Sequence, residues 1–219
     1  KINRERACHI VTLEDPIEFL HTNKRSIVTQ REISIDTQDF QMALRAAMRE
    51  DPDVILIGEM RDAETFQTAI SAAETGHLVF STLHTSNVML TMDRILDMFP
   101  AELHQQVRSQ LALQLRACIS QRLLPAANGK GRVPAIEVML NNPGIAQLIR
   151  ENVLRQIPNA MVAGAEEGMQ TFNMSMVGLT KRGLIKEEDA MLASDNPDEL
   201  KMNMQGIYNT GTRGGILRK

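Results

Sequence analysis

The sequence predicts an α/β protein with a mostly parallel sheet flanked by helices. Two observations carry this. Short β-branched apolar runs alternate with amphipathic helical stretches through the first half. Several of those runs stop abruptly on a polar or charged side chain, as strands do when their carboxyl ends line a crevice.

Ala7 to Leu13 (ACHIVTL) predicts the first buried strand, ended by Glu14-Asp15-Pro16. Ile27 to Ile35 predicts one or two further strands. Asp36 or Thr37 can cap a helix carrying Phe40, Ala43, Leu44, Ala47 and Met48 at helical spacing, closed by Pro52. Val54 to Ile57 is a second buried strand, followed by Gly58 and Glu59. Asp62 to Thr75 is a helix stopped by Gly76. Leu78 to Leu83 is a third strand, ending at His84. A helix is expected over 86–99 and another from Pro100 to about Leu123, with Val107, Leu111, Leu115, Cys118 and Ile119 in register. Gly129-Lys130-Gly131 reads as a turn and Val133 to Leu140 as a strand. Small helices follow at 143–151, 170–181, 187–193 and 197–208. The divisions expected are a core over 1–140, a helical subdomain over 141–208 and a disordered Gly-rich tail over 209–219.

Composition narrows the function. Of 219 residues, 43% are hydrophobic, enough for a substantial core, and the net charge is −3. A negative balance opposes a binder that works by neutralising phosphates, and six Phe, one Tyr and no Trp leave few platforms for stacking bases. No run of 18 apolar residues is present to span a bilayer. The two cysteines, Cys8 and Cys118, lack metal-type spacing and read as reduced thiols. The five histidines form no i, i+4 pair, and no G-x-S-x-G elbow occurs.

Glu14, Glu59 and His84 each follow a predicted strand, with Asp15, Arg61 and Thr85 as polar companions. If the strands are neighbours, the three converge on one crevice. Glu14 then suits polarisation of an attacking water, Glu59 suits Mg²⁺, directly or through water, and His84 suits a γ-phosphate. Taken singly, such a glutamate is more often a solvated loop carboxylate and such a histidine a structural hydrogen-bonder; it is the three together that favour a site. Arg45 and Arg49, four residues apart on one face of the helix before Glu59, fit either an inter-subunit contact or phosphate sensor, or else a solvated face or ion pairs with neighbouring acids. The phosphate-cradling pattern G-x-x-x-x-G-K-[ST] is missing from these residues. The reading is that such a loop lies upstream, with Lys1 to Arg6 (KINRER) ending the helix after it, and that these residues alone bind ATP poorly.

The motifs taken together resemble the secretion ATPases of type II secretion and type IV pili, most closely the retraction motors of the PilT/PilU kind. Met48 to Asp62 (MREDPDVILIGEMRD) is similar to their Walker B signature, Thr12 to Phe19 (TLEDPIEF) to their Asp box, and Thr75 to Thr85 (TGHLVFSTLHT) to their His box. Gly144 to Glu151 (GIAQLIRE) and Gly168 to Phe172 (GMQTF) resemble the retraction branch, although Ala146 stands where that motif usually has Arg. The resemblance implies a RecA-like P-loop NTPase core. It implies ATP and Mg²⁺ as cofactors, with Glu14 as catalytic glutamate, Glu59 as Walker B glutamate and His84 as His-box histidine; Asp15 and Arg61 join them around the nucleotide. It further implies a homohexamer at the cytoplasmic face of the inner membrane. The partners would be a platform protein and a paralogous motor, with no role for nucleic acid. Alternatives are a pilus-extension or type II secretion ATPase, and a RecA-like nucleic-acid motor.

Overall fold

The computed structural model of the chain describes residues 1–209 and 216–218. Two compact units divide at residue 84, 1–84 and 85–219.

The first unit holds α1 (Ile2–Glu5), β1 (His9–Glu14), β2 (Ile27–Glu32), α2 (Phe40–Ala47), β3 (Val54–Ile57), α3 (Ala63–Glu74) and β4 (Leu78–Ser81). Its four strands form one sheet in the order β2-β1-β3-β4, every pair parallel. The central strands explain their own composition. Val11, Leu13, Ile55 and Ile57 are fully buried, share one face by their period of two, and pair Val11 with Ile55 and Leu13 with Ile57. Ala43, Leu44 and Ala47 of α2 and Ala69 and Ala72 of α3 join them in one core cluster. Small alanines let the helices approach the sheet, and each large side chain buried there contributes about 1.5–3 kcal/mol.

Helix starts follow capping chemistry. Asp39, rather than the expected Asp36 or Thr37, caps α2 by accepting from Met42 N–H at 2.7 Å. Asp36 instead accepts from Glu32 N–H, closing the turn after β2. Asp62 caps α3 through Thr65 N–H and Oγ1, both at 2.8 Å. The helix ends on Gly76 at φ +102°, a left-handed conformation that glycine adopts without strain.

The second unit contains α4 (Val88–Asp97), α5 (His104–Gln114), β5 (Ala117–Pro125), β6 (Arg132–Leu140), α6 (Pro143–Arg150), α7 (Ile157–Ala163), α8 (Phe172–Lys181), α9 (Glu187–Ala193), α10 (Pro197–Met204), β7 (Ile207–Asn209) and β8 (Ile216–Arg218). The helix expected to run to Leu123 stops at Gln114, and residues 117–125 form a strand antiparallel to β6. The apolar spacing misled because the inward positions of β5 include Ser120 beside Leu124, whereas Ile119 and Leu123 face outward. Helix α7 was not anticipated. The divide expected after residue 140 falls inside this unit, because Leu124 and Ala135 of the hairpin share a core with Phe172, Met176, Leu179, Ile185 and Leu200. Within the tail expected to be disordered, Asn209 and Ile216–Arg218 belong to the β7–β8 ladder. The rest of that segment, 210–215 and 219, lies outside the described residues. No described helix is long and apolar enough to cross a membrane.

Candidate functional site

The sheet register sets the site. Leu13 pairs with Ile57, and Ile57 with Ser81, so β1, β3 and β4 end at one level. The residues that follow, Glu14, Gly58-Glu59 and 82–84, therefore emerge along one edge of the sheet. This is the carboxyl edge of parallel strands, where open α/β sheets take their ligands.

Gly58 sits at a close approach. Its N–H donates to Leu13 O at 2.7 Å, and a Cβ there would meet that oxygen at 3.1 Å and Glu14 Cα at 3.5 Å. Both obstacles are backbone, so a side chain would push β3 away from β1 at the point where Glu59 departs. Met60 N–H donates to Thr82 O at 3.3 Å, and Thr82 Oγ1 donates to Gly58 O. The Gly58–Met60 segment is thus strapped between its two neighbours.

That strap holds Glu59 as the centre of a three-residue cluster. Arg61 Nη2 donates to Glu59 Oε1, and His84 Nε2 lies 3.1 Å from Glu59 Oε2. An ionised carboxylate only accepts, so His84 donates there with Nε2 protonated. The Glu59 side chain is 12% exposed, against 68% for Arg61 and 85% for His84. The Arg61 hydrogen bond is the main reason that the Glu59 carboxyl titrates below the usual glutamate range; burial opposes it and His84 adds to it. Arg61 is in turn raised, first by its bond to Glu59, with a smaller contribution from Asp15.

Glu14 is held separately. Its Oε1 accepts from Thr12 Oγ1 at 2.6 Å and from Gln30 Nε2 at 2.9 Å. Thr12 is two residues back on the same face of β1, and Gln30 is its register partner on β2. Glu14 therefore stands one strand-end from the Glu59 cluster, with its carboxylate drawn towards β2. Gln30 and Thr82 carry no pattern that sequence reasoning could have used, since their roles come from cross-strand register. Asp15 and Arg61 line a cleft of about 620 Å³ with Asp39, Phe40, Asp62 and Ala63, at the starts of α2 and α3.

Arg45 and Arg49 do not form the expected pair on one helix face. Helix α2 ends at Ala47, so Arg49 lies in the turn beyond it, where its N–H donates to Ala46 O. Arg45 Nη2 reaches Glu64 Oε1 of α3 at 2.9 Å, with both side chains 63% exposed, which is an ordinary surface ion pair.

Among the described residues, no group of three or more His, Cys, Asp or Glu could cage a metal. A single ionised carboxylate at a strand end is nonetheless a fitting donor for Mg²⁺, which keeps several waters and binds through one or two carboxylates together with phosphate oxygens.

Residues 1–212 match the family described as "Type II/IV secretion system protein". The chain belongs to that family. Among its relatives, the twitching motility protein of Neisseria gonorrhoeae is 49% identical over 199 residues, covering 91% of this chain and 53% of that protein. The type IV pilus retraction ATPase PilT of Pseudomonas aeruginosa is 49% identical over 197 residues, covering 90% and 57%. The chain thus spans about half the length of the curated relatives it matches. Among solved structures, the pilus retraction motor PilT with bound ADP superposes with a TM-score of 0.84 at 52% identity, covering 91% of this chain and 56% of that one. The Legionella pneumophila ATPase DotB gives 0.75 at 30% identity, covering 86% and 52%. The α/β fold with a parallel core is the one that these secretion ATPases share.

Proposed function

We propose that this chain works in an ATP-hydrolysing motor that drives retraction of type IV pili. The observation that carries the reading is the Glu59 carboxylate, held ionised between Arg61 and His84 at the carboxyl edge of a parallel sheet. Family membership and the likeness to a retraction motor solved with ADP point the same way.

In this reading Glu59 holds Mg²⁺ through water, and Arg61 keeps Glu59 charged. When bound, Mg²⁺ offsets the charge of the phosphoryl group being transferred. Glu14, positioned by Thr12 and Gln30, orients and polarises the attacking water. His84, exposed and hydrogen-bonded to Glu59, exchanges that contact for the γ-phosphate when nucleotide enters. Asp15 steadies Arg61. The motor is a homohexamer, cytoplasmic and peripheral at the inner membrane. It acts on a pilus platform protein and works beside a paralogous motor.

Retraction is favoured over extension by coverage. Matches to retraction proteins span 90% and 91% of the chain, whereas the Pseudomonas aeruginosa assembly ATPase PilB matches over 52%. The test is ATP turnover by the complete gene product carrying Glu59→Gln or Glu14→Gln. Each is expected to lower kcat at least about a hundredfold while the fold is kept, the scale of losing an essential transition-state or acid–base contact. Hydrolysis at the unmutated rate in both variants would overturn the mechanism.

A further inference from the structure

Strand β2 lies at the edge of the four-stranded sheet, where open backbone groups need partners. The loop over 17–23 runs alongside it. Ile17 N–H donates to Glu32 Oε2 at 3.0 Å, His21 N–H donates to Gln30 Oε1 at 2.6 Å, and Asn23 Oδ1 accepts from Val28 N–H at 2.9 Å. Loop positions rise as β2 positions fall, the order of an antiparallel neighbour, but each of these clasps uses a side chain. Apolar packing adds little at the middle clasp, since Phe19 is 76% exposed and Leu20 86%. Polar clasps therefore hold this edge loop.

The middle clasp reaches further than the other two. Gln30 Nε2 donates to Phe19 O and to Glu14 Oε1, both at 2.9 Å. One side-chain amide thus joins the edge loop to a carboxylate of the candidate site. Its orientation follows from its partners. His21 N–H can only donate and faces the amide oxygen; Phe19 O and an ionised Glu14 can only accept and face the NH2 group. Turned over, the amide would set its oxygen against two acceptors. Thr12 Oγ1 also donates to Glu14 Oε1, so both donors take one carboxylate oxygen and leave Oε2 to face a water. Released from the loop, Gln30 would keep Glu14 alone as a partner and regain its rotamer freedom.

We propose that the edge loop is a positioning element for Glu14: Phe19 O and His21 N–H hold the Gln30 amide at the angle at which it aims the Glu14 carboxylate at the attacking water. The proposal rests on the ATPase reading above. It adds to that reading a stretch of chain that contributes backbone groups and no side chain to the chemistry. The loop, Gln30 and Glu14 all belong to the first unit.

The experiment is steady-state ATP hydrolysis by the complete gene product, with hydrogen–deuterium exchange over residues 17–23 followed in the nucleotide-free protein. Gln30→Leu is expected to lower kcat about tenfold with KM nearly unchanged, a modest share of what misplacement by one ångström costs. Gln30→Glu keeps an oxygen for His21 N–H but gives Glu14 no donor, so it loses at least as much. Asn23→Ala combined with Glu32→Ala loosens both ends of the loop and leaves Gln30 in place. This pair is expected to lower kcat about fivefold, again with KM nearly unchanged. In a Gln30→Leu background the pair costs nothing further, because the loop acts through the amide alone. Exchange over 17–23 is expected to quicken about threefold in Gln30→Leu and in Glu14→Ala, since each takes a partner from the same amide network. Unmutated kcat in Gln30→Leu or in the loosened loop, an additive loss in the Gln30→Leu background, or unchanged exchange in either variant overturns the positioning role alone. Unmutated kcat in Glu14→Gln overturns the assignment of the hydrolysis site and this inference with it. Should the Asn23 and Glu32 pair fail to fold, Asn23→Ala alone and its combination with Gln30→Leu decide the question.

Discussion

Glu59 shows how one carboxylate is kept charged in a largely buried place. Arg61, two residues on in a segment that Gly58 and Thr82 hold in place, is the main cause of its lowered titration, and His84 adds to it against burial. A carboxyl depressed in the folded state contributes stability above its unfolded value, and that contribution is lost as pH falls through the folded value. Arg61→Ala removes the largest favourable cause and leaves burial in place. The Glu59 carboxyl is then expected to titrate at higher pH, and the stability it contributes above its unfolded value to shrink. Carbon NMR of the Glu59 carboxyl in both proteins reads this directly. An unchanged titration would mean that Arg61 is a bystander. His84 and Glu14 are held in other ways. One is exposed and placed by backbone, and the other is held by neutral donors from Thr12 and Gln30.

At the scale of elements, β5 separates periodicity from burial. Its inward side chains include Ser120 and Leu124, and its outward ones include Ile119 and Leu123, so hydrophobicity points partly the wrong way. The register makes a sharp expectation. Leu124→Ala, at 5% exposure in the core with Phe172 and Met176, should destabilise by about 2–5 kcal/mol. Ile119→Thr, at 67% exposure, should stay within about 0.5 kcal/mol. Denaturant unfolding of the two variants checks the register, and a reversed order of effects would place the strand one residue out. The same contrast explains what the sequence could and could not disclose. Strand β3 was readable because its four residues are all apolar, and β1 because Ile10, Val11 and Leu13 form a β-branched and apolar run that only Thr12 interrupts. Helix α3 was readable because Asp62 and Gly76 bracket it. Strand β5 was hidden because polar Ser120 faces in, and Arg122 turns into a polar network rather than to solvent. At the site, Glu14, Glu59 and His84 were legible as strand endings. Gln30 and Thr82 were not, because each acts across a gap in sequence that only strand pairing closes.

Over the whole molecule, the chemistry on hand is strong for reaction and weak for grip. In the proposed mechanism, Glu14, Glu59 and His84 would supply a carboxylate for water, a carboxylate for Mg²⁺ and a donor for phosphate. None of the 219 residues forms the glycine–lysine pattern whose consecutive amides and ammonium hold the β- and γ-phosphates. Most anion affinity in such sites comes from those amides and that charge. The net charge of −3 adds no general attraction for a tetra-anionic nucleotide. A ligand that binds only the folded state stabilises it by about 2.7 kcal/mol at a hundred times its Kd. The 219-residue chain in 1 mM MgATP is therefore expected to melt within about a degree of its temperature without nucleotide, the shift expected when ligand is far below its Kd. The complete gene product in the same buffer should rise by several degrees, about the response that a few kcal/mol gives in a domain of this size. A comparable rise in the 219 residues alone would put a phosphate-binding surface among them. The cleft beside Arg61, at the starts of α2 and α3, would then be the first place to substitute.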